Sequence, residues 1–131
     1  MRFTEHEMTV ALAGCAKAML ATQRKDIRKG QVDVDEAWEQ LGGYQRFTML
    51  DALGGQVLPV LHALPDVEVP DGTRPTFTDQ QIRATVEETL GEAEGGRLRR
   101  KATLAARVAL VKIALNAVPP RRAPDVDPLD D

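Results

Sequence analysis

Four cations fall within five residues, at Arg97, Arg99, Arg100 and Lys101, and Arg107 follows shortly after. They sit where a helix should begin, and the dipole there favours anions and disfavours cations. Local stability therefore does not select them. One chemistry they suit is anion or nucleic-acid binding, in which phosphate oxygens meet both the side chains and the free backbone N–H groups. The simpler expectation is pairing with Glu87, Glu88, Glu92 and Glu94 on the preceding helix, or a solvated face. A second run, Arg24, Lys25, Arg28 and Lys29, suits the negative end of a helix dipole. The two runs make one basic patch only if folding sets them side by side.

Lys112 and Asn116 share one helical face in the most apolar part of the chain. They read either as an exposed edge, with the Lys112 stem reaching for water, or as a polar pair turned into a groove or a subunit contact, because buried polar groups need partners.

No grouping points to catalysis. The histidines are His6 and His62. Glu5-His6-Glu7 offers one or two metal ligands, but no H-E-x-x-H or paired E-x-x-H accompanies it, so neither a metal nor a cofactor is expected. Cys15 is the single cysteine, which excludes an intrachain disulfide and fits a reducing cytoplasm. It lies on an apolar helix face, where a thiol is usually inert. Leu12-Ala13-Gly14-Cys15 matches a lipoprotein cleavage box, yet Glu5, His6 and Glu7 stand where a basic leader belongs. The Gly-Gly pairs lack the strand-to-helix setting of a phosphate loop or dinucleotide fingerprint and read as helix ends and hinges. Asp35 with Glu39, and Glu88 with Glu92, read as surface carboxylates, and Trp38 as a core anchor.

These groups must be positioned by helices. The chain has 131 residues, 43% hydrophobic and only 4% aromatic, which suits one domain with a core of Leu, Val and Ala. Few aromatics disfavour a stacking platform for single-stranded nucleic acid. Net charge is −3, yet residues 97–122 hold eight basic side chains and no acidic one. That imbalance suggests internal pairing first and an external polyanion second.

Leu104, Val108, Val111, Leu115 and Val118 form one helical stripe, flanked by Ala105 and Ala109 and by Leu110, Ile113 and Ala117. A helix apolar on most sides must be surrounded by others, so 102–118 is expected to be the buried centre of the fold. Its apolar run of about 17 residues is the bare minimum for a bilayer, and Arg107 and Lys112 would oppose insertion, so no membrane span is expected.

Thr4 with Glu7 predicts a helix starting at Glu5 and running toward a stop at Gly30. Asp33 starts a short helix carrying Ala37, Trp38 and Leu41. Two further helices follow, from about Tyr44 to Leu53 and from Gln56 to Leu64, divided by Gly54-Gly55. Residues 65–77 read as a long proline-broken arm. Thr78 with Gln81 opens the next helix, with Phe77 placed to staple onto Ile82. Pro119-Pro120 ends the last helix, and 119–131 reads as a disordered acidic tail.

The expected fold is therefore all-α: a single domain over 1–118, an irregular orthogonal bundle of five or six helices around a buried C-terminal helix. The expected function is a non-enzymatic protein-interaction or regulatory module with a protein partner or self-association. The alternative is nucleic-acid binding through 97–101 and 24–29.

Overall fold

Side-chain caps set where the helices begin. The Thr4 side chain accepts from the Glu7 N–H while the Glu7 carboxylate accepts from the Thr4 N–H, and helix α1 runs over Glu5–Gln23. Asp33 accepts from the N–H groups of Asp35 and Glu36 ahead of α3, Val34–Gln40. Thr78 and Gln81 repeat the reciprocal box ahead of α5, Asp79–Leu90. Three helices complete the set: α2, Lys25–Arg28; α4, Gly43–Ala63; and α6, Gly96–Ala117. The computed structural model describes residues 1–91 and 96–122. Its architecture is an all-helical bundle of six helices, with no strand among the described residues. No described helix is long and apolar enough to cross a membrane.

Two helix boundaries differ from expectation. The first helix does not continue to Gly30; it breaks at Arg24, whose backbone is extended. Arg24 grips Asp26 through Nε and Nη2 at 3.2 and 2.7 Å, and Asp26 accepts from the Ile27 N–H at 2.9 Å. That local network starts a new turn and competes with continuation of the old one. Conversely, Gly54-Gly55 does not divide α4, which runs unbroken past both glycines and through Pro59. Gly54 is buried, and a Cβ there would meet Leu58 and Leu12 at ordinary contact distance. The pair thus sits in the body of a helix held by packing, which overrides weak propensity.

The core is aliphatic. Leu53, Val57, Val60, Leu61 and Leu64 from the α4 end pack with Ala11, Cys15, Ala16 and Leu20 of α1, Ile82 and Val86 of α5, and Leu104, Val111, Ala114, Leu115 and Val118 of the C-terminal segment. Trp38 anchors α3 at 7% exposure. Helices α1 and α6 approach closely: a Cβ on Gly14 would lie 2.5 Å from the Ala117 Cβ. The Cys15 thiol donates to the Leu110 carbonyl at 3.3 Å, and burial pushes its pKa up to about 11.

Helix α6 is not sheathed on nearly every flank. It buries one stripe, while Ala102, Ala105, Ala106, Ala109 and Ile113 face outward and Leu98 is 84% exposed. Val108 is half-buried. The physical reason is that small alanines make a helix read as apolar all round without needing burial; alanine is the best helix former at any exposure.

The 65–77 arm is irregular. Pro70-Asp71-Gly72 makes a turn closed by the Thr73 N–H on the Pro70 carbonyl, with Gly72 at φ 80°. The arm is pinned to the chain beyond α6: the Arg121 N–H donates to Thr73 O at 2.8 Å and the Gly72 N–H to Arg121 O at 2.7 Å. Residues 119–122 are thus held against the body, where the sequence suggested the start of a tail. Residues 123–131 lie outside the described residues. Arg121 also reaches the buried Glu7 and sits over the Phe3 ring at 5.8 Å.

Candidate functional site

The pinned arm and the two last helices enclose a groove. Arg74, on the arm, donates to the carbonyl of Asn116 in the last turn of α6, where a cation suits the dipole. This contact lays Pro75, Thr76 and Phe77 along α6. Below them opens a cleft of about 270 Å³ walled by Arg74, Phe77, Asp79, Ile82, Lys112, Leu115 and Asn116. A second cleft, of about 330 Å³, continues toward the start of α6 between Asp79, Arg83, Lys101, Leu104, Ala105, Val108 and Lys112. Asp79 and Lys112 belong to both walls, and their ion pair at 2.9 Å bridges the groove between the two clefts.

The lining has a clear chemical division. Phe77, Ile82, Leu104, Val108 and Leu115 supply an apolar floor, and Arg74, Arg83, Lys101 and Lys112 supply four cations. Asp79 is the single acid among the lining residues of the two clefts, and it is spent on Lys112. Arg83 also touches Glu87, one turn along α5, at 3.6 Å, an exposed pair that holds it weakly. The lining thus offers apolar area beside fixed positive charge. Among the described residues no group of three His, Cys, Asp or Glu side chains converges as a metal site would require.

Lys112 and Asn116, read from the sequence as a polar pair on one face, both line the first cleft. The cluster at the start of α6 divides. Arg97 and Arg99 are exposed; Arg100 donates to the Gly91 carbonyl at the end of α5; Lys101 lines the second cleft. Among the described residues no ion pair joins this cluster to Glu87 or Glu88, while Glu92 and Glu94 lie outside them. Arg107 is half-buried, and its Nε has no hydrogen-bond partner among the described atoms.

In the other run, Arg24 is engaged by Asp26, whose carboxylate raises its pKa and is itself lowered in return. Arg28 donates to the Thr22 carbonyl, and Lys25 and Lys29 are exposed. The order of contacts along α1 and α6 relates the two runs. Glu7 meets Arg121, Gly14 meets Ala117 and Cys15 meets Leu110, so the helices run antiparallel. The end of α1, leading to 24–29, therefore points the same way as the beginning of α6 at 97–101.

No short-range pattern in the sequence marks Arg74, Phe77, Asp79 or Arg83 as site residues. The one available signal was the length of the 65–77 arm, which marked it as a connection with a role of its own. No family model, no curated protein and no solved structure matches the chain.

Proposed function

We propose that the chain is a protein-interaction module whose α5–α6 groove takes an acidic amphipathic segment of another protein. One observation carries the reading: the groove combines an apolar floor with four lining cations and one lining carboxylate. An incoming helix would lay apolar side chains at helical spacing on Phe77, Ile82, Leu104 and Leu115 and its carboxylates against Arg74, Arg83, Lys101 and Lys112. Area on the floor supplies affinity, and the charges supply register and on-rate. Lys101 to Asn116 along α6 measures about 23 Å at 1.5 Å per residue, room for some four turns of a docked helix.

The test is fluorescence anisotropy with a labelled helix-forming peptide of leucines at helical spacing and glutamates elsewhere, beside a twin in which lysines replace the glutamates. The glutamate peptide should bind with salt-dependent affinity, and Arg83→Glu with Lys101→Glu should weaken it by at least about tenfold, roughly 1.4 kcal/mol. Equal binding of the lysine twin, or no binding of either, overturns the reading.

A second reading, binding of a nucleic-acid backbone, is favoured by one observation: the two basic runs lie toward one end of the antiparallel α1–α6 pair. Duplex DNA at low salt is its probe, because phosphate contacts are strongest there. Binding lost in Arg97→Glu/Arg99→Glu with Lys25→Glu/Lys29→Glu supports it, and no binding ends it.

A further inference from the structure

Residues 125–131 hold four aspartates, Asp125, Asp127, Asp130 and Asp131, and no base, with Val126 and Leu129 set between them. Acidic and aliphatic side chains in one short run match the lining of the α5–α6 groove. That lining is an apolar floor under Arg74, Arg83, Lys101 and Lys112, with Asp79 as its single acid. The fold also brings segment and groove close. Arg121 exchanges backbone hydrogen bonds with Gly72 and Thr73, at 2.7 and 2.8 Å, and the described chain ends one residue later, at Arg122. Arg74 follows Thr73 and lines the first cleft. The grip of the Arg121 side chain on Glu7 fixes this exit point. The segment that follows is therefore tethered beside the cleft. Nine residues span up to about 30 Å when extended, against about 6 Å along α6 from Asn116 to Lys112.

We infer that residues 123–131 are an internal occupant of the groove, docking across the first cleft of their own chain and competing there with an outside segment. In that arrangement Val126 and Leu129 lie on Phe77, Ile82 and Leu115. Three residues apart, they fall on one side of the extended chain that proline favours. The aspartates face Arg74 and Lys112, so the charges on the two surfaces are complementary. A tether this short holds the segment at roughly millimolar effective concentration, so a contact far weaker than that of an outside partner still fills the cleft part of the time. The inference rests on the groove being a surface for acidic, apolar segments and adds its regulation. An outside partner enters only by displacing the tail, and its apparent affinity falls by the fraction of chains whose groove is already filled.

Two measurements on the full chain test it. In NMR spectra of the free chain at low salt, nuclear Overhauser contacts should join the Val126 or Leu129 methyls to the Phe77 ring, Ile82 or Leu115, and should weaken as salt rises. In anisotropy titrations with the glutamate peptide, Asp125→Asn/Asp127→Asn/Asp130→Asn/Asp131→Asn should bind at least about threefold more tightly than the unaltered chain. Glu5→Gln/Glu36→Gln/Glu39→Gln/Asp51→Asn removes the same charge from exposed positions, so only the excess of the first variant over this one counts. Contacts absent from the free chain overturn the inference, as does an equal gain in the two variants; peptide binding that persists in either case leaves the groove reading intact. Contacts seen only between isotopically distinct copies also overturn it, because the tail then crosses to a second chain. Tail contacts in a chain that binds no outside peptide support the docking and count against the outside partner alone.

Discussion

Glu7 and Arg121, 114 residues apart in sequence, join through two prongs at 2.7 and 3.0 Å. Glu7 is 4% exposed. Its carboxylate thus serves two tasks, closing the cap at the start of α1 and receiving the guanidinium that arrives from beyond α6. Arg121 in turn donates to the Arg2 carbonyl and lies over Phe3. One buried acid therefore ties the start of α1 to the chain leaving α6, at one end of the antiparallel pair.

Breaking this pair should cost stability asymmetrically. Arg121→Met leaves a buried carboxylate without its partner and should destabilise by about 2–4 kcal/mol, whereas Glu7→Gln keeps an acceptor for the Thr4 N–H and should cost less. Burial raises the Glu7 pKa, but the hydrogen bonds from Arg121 and Thr4 outweigh it and leave it below the ordinary 4.5. A carboxyl lowered by folding contributes stability in full above its unfolded pKa and loses it as pH falls through the folded value. Urea denaturation between pH 7 and pH 3 should show this acid-side loss in the unaltered chain and a shallower slope in Glu7→Gln. Parallel pH profiles would refute the assignment.

Two glycines should respond oppositely to alanine. At Gly14 the new Cβ would stand 2.5 Å from the Ala117 Cβ, so α1 and α6 must separate. Overpacking of this kind costs about 1–3 kcal/mol, more than the gain in helix propensity returns. At Gly55, inside α4, nothing lies within 4 Å of the new atom. There the propensity gain should stand alone, stabilising by about 0.5–1 kcal/mol. Thermal and chemical denaturation of Gly14→Ala and Gly55→Ala check the difference in sign.

Asp79→Asn should separate binding from stability in the groove. The Asp79 side chain is 86% exposed, so losing its pair with Lys112 should change folding stability by no more than about 0.5 kcal/mol. The same change releases Lys112 and removes the one lining acid, and affinity for an acidic peptide should rise by about two- to fivefold. Titrations of Asp79→Asn beside the unaltered chain at equal salt measure it. A fall in affinity would mean that Asp79, and not the surrounding cations, makes the contact.

Much of the fold was legible because its signals are local. Thr4 with Glu7, Asp33, and Thr78 with Gln81 specify helix starts through side chains three residues apart, and each acts as a cap. What local pattern misreads is what packing decides. Gly54-Gly55 looks like a break, yet α4 continues because its flanking leucines and valines are held on one side. The alanines of α6 look like core, yet a methyl group is too small to reveal which way it faces. Of the site, Lys112 and Asn116 were visible as polar residues on an apolar stretch. Arg74 and Asp79 were not, because their role depends on the arm folding back over α6, and no short-range spacing encodes that return. Arg121 reads as part of a tail for the same reason: its partner stands far away in the sequence, at Glu7.

The clasp at Arg121 also imposes a timetable on synthesis. Glu7 is added 114 residues before Arg121, and at roughly 5–20 residues per second the guanidinium follows on the order of ten seconds later. Until then the amino-terminal helix carries a carboxylate it cannot bury without penalty, so premature collapse around it is discouraged. Completion of the native arrangement is in this way deferred until the last helix has been made.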